Sequence, residues 1–244
     1  MIERYRDTLI MYIGNEAIIV TCDSLGSIGN KKYDKLHVDE EIVGRMTVKV
    51  ALSEALSLGA KPVIISDTIS NEMNPTGIKI INGIEKELNE NGLTDVILTG
   101  STEENFVTQM TAIGITVISK ADRSKLKIKK VRSGMHIALI GYPRVGKEVI
   151  NYNDILTLKD YINISNTPDI VEAVPVGSKG IKYELSVLAE IYGYRIDMEN
   201  HGYFDMSKSG GPATCAIIVY DKKNEDNIKK ITDKPFTYLG RFLA

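Results

Sequence analysis

Residues 41–68 constrain this chain more than any other stretch, because they join a helix that has to be buried to a strand that carries an acid. At helical spacing Glu41, Arg45, Lys49, Ser53 and Ser57 fall four apart as one narrow polar stripe. Val43, Met46, Val50, Ala51, Leu52, Ala55, Leu56 and Leu58 fill the remainder, so the helix packs on more than one side. Gly59 stops it as a C-terminal cap, Pro62 prevents its resumption, and the β-branched run Val63, Ile64, Ile65 reads as a short buried strand. Glu54 sits about a quarter-turn off the stripe, where an unpaired carboxylate is costly to desolvate. It requires either a cationic side chain from another element or a metal ion.

The chain's 244 residues suit one large or two ordinary domains, with 43% hydrophobic residues to build a core. A net charge of -2 and a pI near 6.0 give no electrostatic basis for a nucleic-acid partner. Cys22, expected in a buried strand, and Cys215 show no metal-type spacing, and His37, His136 and His201 are too scattered for zinc. The opening Met1–Asp7 is charged where a signal peptide needs an apolar core, and no apolar run approaches membrane-spanning length. The expectation is a cytoplasmic protein with no membrane partner.

From Thr8 to Asp23 two apolar runs flank Gly14-Asn15, a dipeptide suited to a type II′ hairpin turn, and the second run ends in Asp23. After Asp67 a helix is predicted over 76–91 with Ile78, Ile81, Ile84 and Leu88 on one face, closed by Gly92. The strand 96–98 opens into Gly100-Ser101-Thr102-Glu103-Glu104-Asn105, and 110–119 reads as a further strand. Three strands thus lead to Asp23, Asp67 and the 100–105 loop, with Glu54 beside them. Hard oxygen ligands of this kind hold Mg²⁺, and hydroxyls and glycine amides hold phosphate oxygens; the same acids also suit loop and helix caps.

The basic segment 119–132 fits a solvated connection better than a phosphate site, and the domain boundary is placed there, with domains at 1–125 and 126–244. The second half reads as strands at 136–141, 170–176, 195–198, 214–220 and 236–242, with helices at 179–192 and 225–231: a smaller α/β domain. Gly141-Tyr142-Pro143-Arg144-Val145-Gly146-Lys147 fits seven positions of a phosphate-binding P-loop and fails at the eighth. Glu148 stands where a Mg²⁺-binding hydroxyl is needed, and Pro143 removes a backbone donor.

Residues 52–62 resemble the "nlSDlaamGAeP" helix of the aminoimidazole-ribonucleotide synthetase-like (PurM-like) ATP-binding superfamily. Asp23 is similar to its early strand acid, Asp67 to its acid after the next strand, Gly100–Glu103 to its "GGDT" loop, residues 111–117 to its "tAiG.v" strand, and Gly134–Gly141 to its "GD.i.ltG" strand. Glu54 replaces the usual Asp, Thr102 stands where the loop acid belongs, and the second-half "DvSDGl" signature has become Val176–Ile181 with Lys179 in an acid's place. The resemblance implies an α/β (α+β) two-domain fold, first-half strands forming a dimer-interface barrel in a homodimer, and ATP and Mg²⁺ as cofactors. It implies Asp23, Glu54, Asp67 and Glu103 as metal ligands, with Asp23, Glu54 and Glu103 catalytic. Ser24, Gly100, Ser101, Thr102 and Lys179 are the expected phosphate contacts, and His201, Tyr203 and Phe204 the expected substrate contacts. Members that act through a reactive N-terminal or C-terminal Cys are disfavoured by Cys22 and by the closing Arg241-Phe242-Leu243-Ala244. Within the superfamily, Gly100–Phe106 looks most like the α-ribazole kinases of cobalamin salvage, which transfer the ATP γ-phosphoryl group to a 5′-hydroxyl. The alternatives are another PurM-like kinase or synthetase, such as thiamine-monophosphate kinase, and a non-catalytic nucleotide-binding protein.

Overall fold

The computed structural model describes residues 1–199 and 204–244. They form two compact units, one of Met1–Ala55 with Ala60–Ser124, the other of Leu56–Gly59 with Lys125–Ala244.

The first unit begins with β1 (Ile2–Tyr5), β2 (Thr8–Ile13) and β3 (Glu16–Gly26), then a short parallel pair, β4 (Ile28–Gly29) and β5 (Leu36–His37). It continues through α1 (Glu40–Ser57), β6 (Lys61–Ile69), α2 (Ile78–Glu90), β7 (Ile97–Thr102) and β8 (Ala112–Asp122). Six strands make one open mixed sheet in the order β1-β2-β3-β8-β6-β7. Gly14 makes the expected hairpin turn with φ +59. Strand alternation sends Ile19, Thr21, Ile65, Ile115 and Val117 inward, all at 0–1% exposure. Helix α1 lies on this face, where Thr21 Oγ1 donates to the Ala51 carbonyl at 2.7 Å.

Several expectations change here. The inner end of the α1 polar stripe is no solvent face: Lys49, Ser53 and Ser57 are buried, and Ser53 Oγ bonds back to the Lys49 carbonyl at 2.6 Å. The buried face of α2 is Ile80, Gly83, Ile84, Glu87 and Leu88 rather than a row starting at Ile78, which is exposed. Glycine explains the rotation, because Gly83 lets the backbone of α1 come closer than any side chain could. Cys22 is exposed, on the sheet face away from the helices. The segments 9–13 and 110–119 are internal to the sheet: β2 pairs with β1 and β3, and β8 pairs with β3 and β6.

The second unit contains β9 (His136–Gly141), α3 (Glu148–Asn151), α4 (Leu158–Asn166), β10 (Ile170–Pro175), α5 (Gly180–Tyr192), β11 (Arg195–Met198), β12 (Cys215–Tyr220), α6 (Glu225–Ile228) and β13 (Phe236–Leu243). Its sheet runs β10-β12-β9-β13-β11 and is antiparallel throughout. Helix α4 went unread in the sequence although its start is well marked: Thr157 and Asp160 form a reciprocal capping box. The basic segment is not simply solvated. Lys127 is buried and its ammonium donates to the carbonyls of Ile164, Thr167 and Ile170 at 2.8, 2.5 and 3.1 Å, closing the end of α4. Among the described residues no helix is long and apolar enough to cross a membrane.

Candidate functional site

The strands carrying the acids do not end at them; β3 runs on to Gly26 and β6 to Ile69, so Asp23 and Asp67 lie inside the sheet. Register places them in one row: Asp23 opposite Ile115, Ile115 opposite Asp67, and Asp67 opposite Gly100. Opposed residues share a face, so both carboxylates lie on the helix-covered side, their Cα atoms two strand spacings or about 10 Å apart.

Gly100 is required by its neighbour. A Cβ built there would lie 2.2 Å from Asp67 Oδ1, so the carboxylate occupies the space a side chain would need. Asp67 is 3% exposed and its Oδ1 is a buried atom without a hydrogen bond. Burial raises the pKa of Asp67, with its own backbone amide pulling the other way. Burial likewise pushes Asp23 up to about 6 against the lowering effect of the Ser24 amide. Glu54 is half-buried on α1, three residues beyond the Ala51 carbonyl that receives Thr21.

The loop acids face elsewhere. Glu103 accepts from the Asn105 amide at 2.6 Å, and Glu104 accepts from the Met73 amide and Thr102 Oγ1, both at 2.8 Å. Among the described residues no three His, Cys, Asp or Glu side chains are grouped to hold a metal, so Asp23, Glu54, Asp67 and Glu103 do not form a four-acid cage. Strand alternation also parts the acids from two of the expected hydroxyls, Ser24 and Ser101. Ser24, Gly114, Thr68 and Ser101 form the adjacent row, on the opposite face of the sheet.

In the second unit Lys179 is exposed just before α5, its ammonium 4.2 Å over the Tyr183 ring. Phe204 packs against that unit's core with its ring 5.6 Å from Tyr142. His201 and Tyr203 lie outside the described residues. The P-loop-like turn leads only into the four-residue α3. Glu148 accepts from Lys208 Nζ at 2.8 Å, and Arg144 bonds Asp154 and stacks 3.9 Å over Tyr152, so ion pairs of the turn itself shape it.

A polar network beyond the sheet ends was missed in the sequence. Lys31 pairs with Glu72, whose carboxylate also accepts from Thr76 Oγ1 at 3.2 Å and Thr108 Oγ1 at 3.1 Å. Burial pushes the Glu72 pKa up, but the bonds from Lys31 and Thr108 prevail and hold it at about 2. Asn71 Nδ2 donates to Thr108 Oγ1 at 2.6 Å and to the Met110 carbonyl at 2.8 Å, and its Oδ1 accepts from the Ala112 amide at 2.9 Å. The adjacent polar pair Asn71-Glu72, straight after a buried strand, was the available signal.

A mixed six-stranded sheet under two helices, followed by an antiparallel sheet with its own helices, is a mixed α/β fold of the PurM-like kind. More narrowly, residues 5–120 match the family described as AIR synthase related protein, N-terminal domain. No curated protein matches the sequence. Among solved structures, tt0281 from Thermus thermophilus aligns with a TM-score of 0.71 at 14% identity, over 98% of this chain and 86% of that one. Thiamine-monophosphate kinase from Stenotrophomonas maltophilia K279a aligns at 0.66 and 16%, over 99% and 88%. AaThiL complexed with AMPPCP and TMP aligns at 0.66 and 14%, over 97% and 84%.

Proposed function

We propose that this chain is an ATP- and Mg²⁺-dependent phosphotransferase acting on a small nucleoside-like acceptor. The observation that carries the reading is the Asp23–Ile115–Asp67–Gly100 row. It holds two carboxylates whose charge burial disfavours, one with an oxygen that accepts nothing, beside a glycine whose missing side chain makes room for the Asp67 carboxylate. This suits Mg²⁺, which commonly takes one or two protein carboxylates and fills its shell with water and phosphate oxygens. Asp23 and Asp67 would hold the cation, with Glu54 joining from α1; bound there, it would neutralise phosphate charge during transfer. Gly100 and Thr102 are the phosphate contacts on this side, and Ser24 and Ser101, facing away, are not. Glu103 orients the loop, and Lys179 is the second unit's candidate for a phosphate. Residues 1–125 then form the ATP-binding and dimerisation domain, and 126–244 the second domain.

The structural likeness to thiamine-monophosphate kinases, one of them with AMPPCP and TMP, supports thiamine monophosphate as acceptor, whereas the Gly100–Phe106 loop supports α-ribazole. ADP release with Mg·ATP and either acceptor, followed by mass analysis, decides between them. Acceptor-dependent ADP is expected, and its absence with both would leave a non-catalytic nucleotide-binding protein.

The sheet face away from the helices exposes Leu9, Met11, Ile13, Ile64 and Ile97. In the proposed homodimer a second copy covers this apolar face, joining the open sheets into the expected barrel. The double substitution Leu9→Lys with Ile64→Lys is expected to give a folded monomer by light scattering, where the wild type is a dimer. A monomeric wild type would remove the proposal.

A further inference from the structure

We propose that Phe106 and Val107 form a preorganised apolar tip that stacks on the flat aromatic ring of a nucleoside-like ligand, and this rests on the phosphotransferase reading above. Both side chains are almost wholly in water, 77% and 81% exposed. Two adjacent apolar residues at such exposure add little stability to the fold. The loop bearing them is nevertheless fastened on both sides. On one side Glu104 holds the Met73 amide. On the other, Thr108 is held by Asn71, Glu72 and Lys31, and the Gln109 carbonyl accepts from the Tyr33 amide at 3.0 Å. Much of the entropy cost of ordering the loop is therefore met before any ligand arrives, which is how a contact surface is made ready for binding.

Position selects the occupant. The tip follows Gly100 by six residues on the loop leaving β7, and Gly100 is the row partner of Asp67. A ligand whose phosphates lie at that row brings its ring within reach of the same loop, and an exposed phenylalanine offers such a ring a sequence-tolerant stacking surface. Adenine and the acceptor's heterocycle share this chemistry.

The chain contains no tryptophan, so Phe106→Trp makes the tip the only indole in the protein. Its fluorescence is read during separate titrations with Mg·ATP, α-ribazole and thiamine monophosphate, and again on dilution without ligand. Saturable quenching with a blue shift is expected for at least one ligand. For that ligand Phe106→Ala and Phe106→Leu should raise KM by about tenfold, with kcat and the other substrate's KM within twofold. No response to any of the three overturns the proposal, as does a shift on dilution alone, which would assign the tip to a second copy. An unchanged KM in Phe106→Ala, with acceptor-dependent turnover intact, overturns the stacking but leaves the phosphotransferase. Quenching without turnover sustains the stacking and removes the phosphotransferase.

Discussion

Replacing Asp23 by asparagine is expected to make the protein more stable at pH 7 while abolishing ATP turnover. The folded-state pKa of Asp23 is pushed up from 3.8 to about 6 by burial, so the native state holds a proton there that the unfolded chain has already released. Stability from this group is therefore fully present below about pH 4, falls as pH rises through about 6, and stays lost above it. A rise from 3.8 to about 6 corresponds to about 3 kcal/mol for a fully buried group, and partial solvent access reduces this to about 1–2 kcal/mol. An asparagine side chain does not titrate, so urea unfolding of Asp23→Asn and wild type should coincide near pH 4 and diverge above pH 6, with the variant more stable. If Asp23 holds the cation as proposed, turnover should fall by at least about 100-fold, since a direct cation contact is worth more than the outer-shell groups whose loss costs 10–100-fold. Mg·ATP should raise the melting temperature of the wild type and leave that of the variant unmoved. A variant that is both less stable and active would show that Asp23 is a structural acid.

The opposite signs follow from where the residue sits. Asp23 occupies a place on the inner face that Ile19 and Thr21 fill further back along β3, and an apolar or neutral side chain there would serve the fold better. A charge kept in such a row at a cost in stability marks function more firmly than does an acid at the end of a strand.

Local pattern explains what the sequence could show. The β-branched runs of β10 and β12, the apolar run of β9, the aromatic and leucine residues of β13 and the helical spacing of α1 and α5 are strong signals within ten to twenty residues, and the elements lie where they were expected. β1 was missed because its four residues include the adjacent charges Glu3 and Arg4, and an edge strand, paired on one side only, needs no apolar run. The neighbouring pairs Asp23-Ser24 and Gly100-Ser101 each looked like one site. A strand's two-residue period sends their members to opposite faces, which becomes visible only when the strands are known to continue past the acids. Lys31 and Glu72 lie 41 positions apart, and nothing local pairs them. The position of Gly83 was plain in the sequence, but its partner was not.

That partner makes Gly83→Ala the substitution with the largest expected effect on stability. Gly44 of α1 and Gly83 of α2 lie at the crossing of the two helices. A Cβ on Gly44 would stand 2.0 Å from the Ile80 carbonyl oxygen, and one on Gly83 would stand 2.1 Å from that of Glu41. Both obstacles are backbone within helices, so no side-chain rotation relieves them and the helices would have to move apart. Separation would also stretch the Arg45–Glu87 and Lys79–Glu40 pairs that span the crossing. Overpacking of this kind costs about 1–3 kcal/mol, and more where backbone is the obstacle, against about 1 kcal/mol regained from alanine's better helix propensity. We expect a net loss of about 3 kcal/mol for Gly83→Ala, a fall in Tm of about 6–12 °C for a chain of this size. Gly44→Ala should cost a similar amount. The double variant should cost clearly less than the sum, because one displacement of α2 relieves both clashes. Full additivity would mean that the two glycines are accommodated by separate local shifts, and the crossing would then not be the rigid unit that holds α1 over the Asp23–Asp67 row.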